Sequence, residues 1–151
     1  MTSTELQKTT ERTTLPSFLT GQRYGAELEQ ILLISFGAVL GANARYWIGD
    51  WASNHWGSSF PYGTLLINLS GSLIMGFFIA YFMQRLNLDP RWRLIIAVGF
   101  LGSYTTFSSY TLESVQLMSA GQLLSGLVNL FGSAILGGIT MVIGLLLGKA
   151  F

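Results

Sequence analysis

Long apolar runs dominate this chain, and their lengths set its architecture. Four segments read as membrane helices: about Ile31 to Ile48, Tyr62 to Met83, Leu94 to Met118 and Leu123 to Leu147. A helix rises about 1.5 Å per residue, so roughly 20 apolar residues cross the hydrocarbon core of a bilayer. The connections are short. Asp50 to Pro61 (D-W-A-S-N-H-W-G-S-S-F-P) reads as a loop with tryptophans at headgroup level. Asn87-Leu88-Asp89-Pro90 reads as a turn, because the proline disfavours helical geometry at Asp89. Ser119-Ala120-Gly121-Gln122 reads as a tight turn. The pattern predicts an all-α membrane protein with four transmembrane helices.

The third segment breaks the pattern from within. Gly99 to Glu113 reads G-F-L-G-S-Y-T-T-F-S-S-Y-T-L-E, and every side chain from Ser103 to Thr111 except Phe107 carries a hydroxyl. Lipid does not tolerate such a run unless it faces protein or a water-filled path. Gly99, Gly102 and the pair Thr105-Thr106 predict a helix break near the middle of this span. A break frees carbonyls that can bind a small cation and N–H groups that can bind an anion.

Small residues recur at helix-packing spacing: Gly37 and Gly41, Ser133 and Gly137, Ala134 and Gly138, Gly144 and Gly148. Such pairs let helices approach closely, and packing alone accounts for them. Four well-packed helices enclose side chains, not a pore. A polar path therefore calls for a second copy of the chain.

Composition sharpens this picture. Of 151 residues, 50% are hydrophobic and 10% charged, against roughly 25% charged in a soluble domain. Residues 1–30 hold two Arg, one Lys and four Glu, and residues 31–151 hold the remaining eight charges. This reads as a polar, disordered cytoplasmic extension followed by a membrane domain. No apolar stretch follows Lys8 or Arg12 at the distance of a secretory signal. There is no cysteine and one histidine, His55, so neither a thiolate metal site nor a Ser-His relay is expected. A net charge of +1 argues against a nucleic-acid partner, and no nucleophile–base pair suggests an enzyme. Arg23, Arg85, Arg91, Arg93 and Lys149 gather on one side of the predicted spans, against Arg45 on the other. Both termini are therefore expected in the cytoplasm.

Several polar residues could carry chemistry. Arg45 either snorkels beside Tyr46 and Trp47 or draws anions to a vestibule. Asn68, mid-membrane, either ties two helices together or donates to an ion shedding water. Thr64 and Ser72 lie one turn before and after it, making a polar stripe. Phe107 and Tyr110 share a face among hydroxyls, and ring edges can contact an anion. Glu113 is the one carboxylate of its span, functional by default or solvated near the interface. Asn129 and Ser133, one turn apart, either pack or extend the polar lining to the fourth helix.

Three motifs then carry a resemblance. They are G-A-x-x-R-Y at Gly41 to Tyr46, G-T-L-x-x-N at Gly63 to Asn68 with Gly71 following, and G-F-x-G-x-x-T-T-F-S at Gly99 to Ser108. In order and spacing the chain resembles the CrcB/Fluc fluoride channels over roughly Leu32 to Gly148. The resemblance implies an antiparallel dimer in the cell inner (plasma) membrane with two fluoride pathways along the interface. Passive export would lower cytoplasmic fluoride and protect against its toxicity. It further implies that Asn68 is the pore asparagine and that Phe107 is the first ring of an aromatic pair. Tyr110 stands where the family usually has Phe. Backbone carbonyls of Gly102 and Thr105, from both subunits, would hold a structural sodium ion. Arg45 and Glu113 would be the family arginine and the pore-end glutamate. Ser109, Asn129 and Ser133 would line the polar track.

The charge bias sits awkwardly with dual insertion, which needs little Lys/Arg asymmetry. The partner is thus either a second, inverted copy or an oppositely oriented homologue. The alternative function is a proton-coupled transporter like the small multidrug-resistance proteins. That class relies on a carboxylate deep in its first span, and Ile31 to Ile48 has none.

Overall fold

The computed structural model describes residues 21–151, with side chains from Tyr24 onward. Residues 1–20 of the expected extension lie outside the described residues. Leu33–Phe151 forms one compact unit.

Every described element is a helix. Helix α1 is Gly21–Trp56. Helix α2 is Tyr62–Arg85, with wider π-helical turns over Phe78–Arg85. Helix α3 covers residues 90–104, π-helical over Arg93–Leu101. Helix α4 is Phe107–Ser119, and α5 is Leu123–Ala150. Three stretches are long and apolar enough to cross a membrane: Tyr24–Trp56, Tyr62–Arg85 and Leu123–Ala150. The other apolar segment is split into α3 and α4. Thr105 (φ −78°, ψ 156°) and Thr106 (φ −145°, ψ 122°) are both extended. The interruption falls at the threonine pair.

Both ends of α1 move. The sequence suggests a disordered extension to residue 30, but α1 already begins at Gly21, and it suggests a loop from Asp50, but α1 continues to Trp56. Contacts one turn apart favour the extra turns: Asn54 Nδ2 donates to Asp50 Oδ2 at 3.1 Å, and the rings of Trp51 and His55 lie 4.7 Å apart. Ala52 is also fully buried, where a Cβ on Gly63 of α2 would crowd it. The loop begins at Gly57, whose φ of +76° ends the helix. The other two turns fall where expected. Asn87 has φ +49°, Asp89 caps α3 by accepting from Arg91 N–H at 2.8 Å, and Gly121 has φ +80°.

Glycines decide how closely these helices pack. A Cβ on Gly76 would strike the Met141 carbonyl of α5, and one on Gly144 the Leu73 carbonyl of α2. Helices α2 and α5 thus pack backbone against backbone. Gly37 and Gly41 likewise bring α1 against the backbone of α3 at Ile95 and Phe100. The small core is Ile67, Leu101 and Tyr104, with Ala44, Ile48, Met75, Ile96 and Phe100 packed around it. Large apolar side chains such as Phe36, Val39, Phe131, Ile135 and Leu146 remain exposed, as suits a lipid or subunit contact rather than water.

Candidate functional site

The site is built on the break. In an uninterrupted helix the Thr106 N–H would bond the Gly102 carbonyl, and the Ser109 N–H the Thr105 carbonyl. Neither bond forms. Thr106 N–H donates to Asn68 Oδ1 at 2.8 Å, and Asn68 Nδ2 donates back to the Thr106 carbonyl at 3.0 Å. Ser109 N–H donates to Thr106 Oγ1 at 3.1 Å, so Thr106 is the N-cap of α4. An unpaired buried backbone group costs about 1–3 kcal/mol. Asn68 therefore removes two such costs at once. The carbonyls of Gly102 and Thr105 lose their ordinary donors.

Room for this arrangement comes from Gly71. A Cβ there would strike Thr105 Cγ2 and lie 3.1 Å from the Tyr104 ring. Tyr104 is 5% exposed, stacks on Phe100 at 5.8 Å and shares a 2.9 Å hydrogen bond with Ser70 Oγ. Thr105 Oγ1 donates to the Leu101 carbonyl at 2.9 Å, closing the end of α3.

Three surface depressions meet at the break. The first, about 360 Å³, is lined by Asn68, Ser72, Phe107, Tyr110 and Ser133 among others. Phe107 is 75% exposed, and its ring meets that of Tyr110 edge-on at 5.1 Å and 82°. An amide nitrogen has two hydrogens, so Asn68 keeps one N–H beyond its bond to Thr106. The second, about 460 Å³, holds Arg45, Thr64, Thr106, Ser109 and Glu113. Thr64 Oγ1 donates to Glu113 Oε1 at 2.7 Å, while Oε2 is buried with no protein partner. Among the described residues no carboxylate pairs with Arg45. The third, about 730 Å³, brings Arg45 beside Gly102, Thr105 and Phe107.

The expected site residues thus divide. Asn68, Phe107, Tyr110 and Ser133 share one groove; Arg45, Ser109 and Glu113 share another. Thr106 borders both. The polar stripe on α2 also separates into distinct tasks: Thr64 holds Glu113, Asn68 holds the break, and Ser72 lines the first groove.

Asn129 sits elsewhere. It is 1% exposed, donates to Ser114 Oγ at 2.9 Å and approaches the Tyr110 carbonyl at 3.4 Å. It accepts from Ser133 Oγ at 3.2 Å. Ser114, itself fully buried, donates to the Tyr110 carbonyl at 2.6 Å. This chain of bonds locks α5 to α4. Sequence reasoning passed over Ser114; its one signal is a position one turn after Tyr110 on the same face of α4.

Helices able to span a bilayer, wrapped around a polar break with backbone groups set free, define a membrane protein that handles a small polar species. The chain belongs to the family described as CrcB-like protein, Camphor Resistance (CrcB), whose model matches residues 32–145. Its relatives include proteins named fluoride-specific ion channel FluC. One from Synechococcus sp. (strain JA-2-3B'a(2-13)) is 44% identical over 116 residues, covering 77% of this chain and 89% of that protein. One from Trichormus variabilis (strain ATCC 29413 / PCC 7937) is 46% identical over 119 residues, covering 78% and 87%. One from Chloroflexus aurantiacus (strain ATCC 29366 / DSM 635 / J-10-fl) is 42% identical over 124 residues, covering 82% and 98%.

Proposed function

We propose that this chain is a subunit of a fluoride-selective channel that lets cytoplasmic fluoride leave passively across the cell inner membrane. The observation that carries this reading is the groove where Asn68, Phe107, Tyr110 and Ser133 converge beside a backbone break, in a chain whose relatives are named fluoride channels. Fluoride is small and strongly hydrated, so a path must replace its water with donors. The spare N–H of Asn68, the Tyr110 hydroxyl and the positive ring edges of the aromatic pair are suitable substitutes. Binding must be favourable enough to admit the ion and weak enough to release it. Ring edges and single donors meet both needs better than a fixed positive charge at the narrowest point.

The open groove on one subunit needs a second wall. We take this to be an inverted partner, with the broken segment completing the fourth crossing. Antiparallel pairing would bring two breaks together. The released carbonyls of Gly102 and Thr105, two from each subunit, would hold a sodium ion that supplies fixed positive potential near the anion path. Arg45, Ser109 and Glu113 would form the outer part of the track. The five-to-one bias of basic residues leaves two partners in play, an inverted copy or an oppositely biased homologue.

The deciding experiment is fluoride-electrode efflux from liposomes holding this chain alone, loaded with sodium fluoride or sodium chloride. Rapid fluoride efflux with chloride release at the level of empty vesicles is expected. No fluoride efflux from a folded, reconstituted chain would overturn function as a homodimer. Restoration by an oppositely oriented homologue would assign the heterodimer.

A further inference from the structure

We propose that Asn68 is a clasp that holds the helix break open, so that the anion groove and the released carbonyls form one coupled unit. Its link to the cation rests on the reading above; its link to the break does not. Asn68 offers one acceptor and one donor to a single residue, Thr106, and so presents α3–α4 with a substitute for the missing helical bonds. With Oδ1 in place, the Thr106 N–H turns away from the Gly102 carbonyl. Thr106, held in extended geometry, can then cap Ser109, which releases the Thr105 carbonyl in turn. One side chain on α2 thus sets free two carbonyls on a different segment. Gly71, three residues along the same helix, supplies the clearance that Thr105 needs.

The two consequences appear on different surfaces. Gly102 and Thr105 line the depression beside Ala38, Ala42 and Arg45, whereas Asn68 lines the groove with Tyr110 and Ser133. Thr105, Thr106 and Phe107 border both. Asn68 is therefore a positioning residue for the carbonyls as well as a donor in the groove. Losing it should weaken cation binding at atoms it never touches.

The test uses the purified full chain and readouts other than flux. In detergent, replacing N-methylglucamine with sodium should raise the unfolding midpoint of the wild type, because sodium binds the folded state. Asn68→Ala should abolish that sodium-dependent rise. Tyr110→Phe, which changes the groove but neither the clasp nor the depression at Gly102 and Thr105, should retain it. Asn68→Asp keeps an oxygen for the Thr106 N–H but sets its second oxygen against the Thr106 carbonyl, so it should keep part of the rise while losing fluoride efflux; it also covers failure of Asn68→Ala to fold. Amide exchange at Thr106 should be about tenfold or more faster in Asn68→Ala, since its hydrogen-bond acceptor is gone. A full sodium-dependent rise in Asn68→Ala would overturn the coupling. Unchanged Thr106 exchange would overturn the clasp itself. A wild type indifferent to sodium would instead overturn the cation reading, leaving the exchange result to decide the clasp alone.

Discussion

Two asparagines in the middle of this molecule make opposite use of the same side chain. Asn68, on α2, is half-buried, grips the backbone of Thr106 and still faces a groove. Asn129, on α5, is almost wholly buried and spends its amide on Ser114, Ser133 and the Tyr110 carbonyl. The first bonds to backbone that no helix can satisfy. The second bonds mainly to side chains that could have been apolar. An intramembrane amide is thus informative about function only when its partners and its unused atoms are known. Around the Asn68 groove, mutations of the aromatic pair should change flux before stability. On the Asn129 side the order should reverse.

Phe107→Ile tests the first half most severely. The ring is largely exposed, so its loss should leave folding intact while fluoride efflux from sodium-loaded vesicles falls to near the leak of empty ones. Wild-type efflux from this variant would remove the aromatic pair from the pathway. Asn129→Leu tests the second half. It takes the acceptor from the Ser133 hydroxyl and a donor from the Ser114 oxygen, which keeps its own bond to the Tyr110 carbonyl, at a cost of about 1–3 kcal/mol. Unfolding in detergent should shift accordingly, with fluoride preference over chloride retained. A variant of normal stability that lost selectivity would move Asn129 into the path.

Thr64→Val removes the one hydrogen bond to Glu113 among the described residues, a loss of about 0.5–1.5 kcal/mol. The carboxylate then lacks any fixed partner, and a partial fall in flux with little change in fold is expected. Efflux and circular dichroism measured side by side would separate the two. The smallest effect is expected from Tyr110→Phe. Tyr110 belongs to both regions: its carbonyl anchors the Asn129 lock and its ring lines the groove. Phenylalanine keeps carbonyl and ring edge alike, so efflux should persist. A large fall would make the phenol hydroxyl a donor in its own right.

Much of the architecture was legible in the sequence because membrane solvation leaves few choices. Apolar length set α2 and α5 closely, and of the residues expected to form the break, Gly99, Gly102 and Thr105-Thr106, only the threonine pair leaves helical geometry. The end of α1 was less legible. Asp50 to Trp56 lacks apolar character, yet local contacts and the burial of Ala52 keep it helical. The division of labour among Thr64, Asn68 and Ser72 could not be read from a stripe, since helical spacing gives a face and not the partners on it. Asn129 and Ser133 share a face for the same reason, yet Asn129 belongs to the interhelical lock while Ser133 also lines the groove.

The extended pair Thr105-Thr106 has one more effect, on angular phase. Phe100 and Tyr104 lie one turn apart and face inward, Tyr104 at 5% exposure. An unbroken helix would carry that inward direction on to Phe107 and Ser108, the next positions on the same face. Instead Phe107 is 75% exposed. Two residues of extended chain advance about 6.6 Å rather than the 3 Å of a helix, and they do not turn by the helical 100° each. The aromatic sequence is thereby rotated out of phase with itself. Rings before the break serve the core of one subunit; the first ring after it is turned outward, toward whatever stands across the groove.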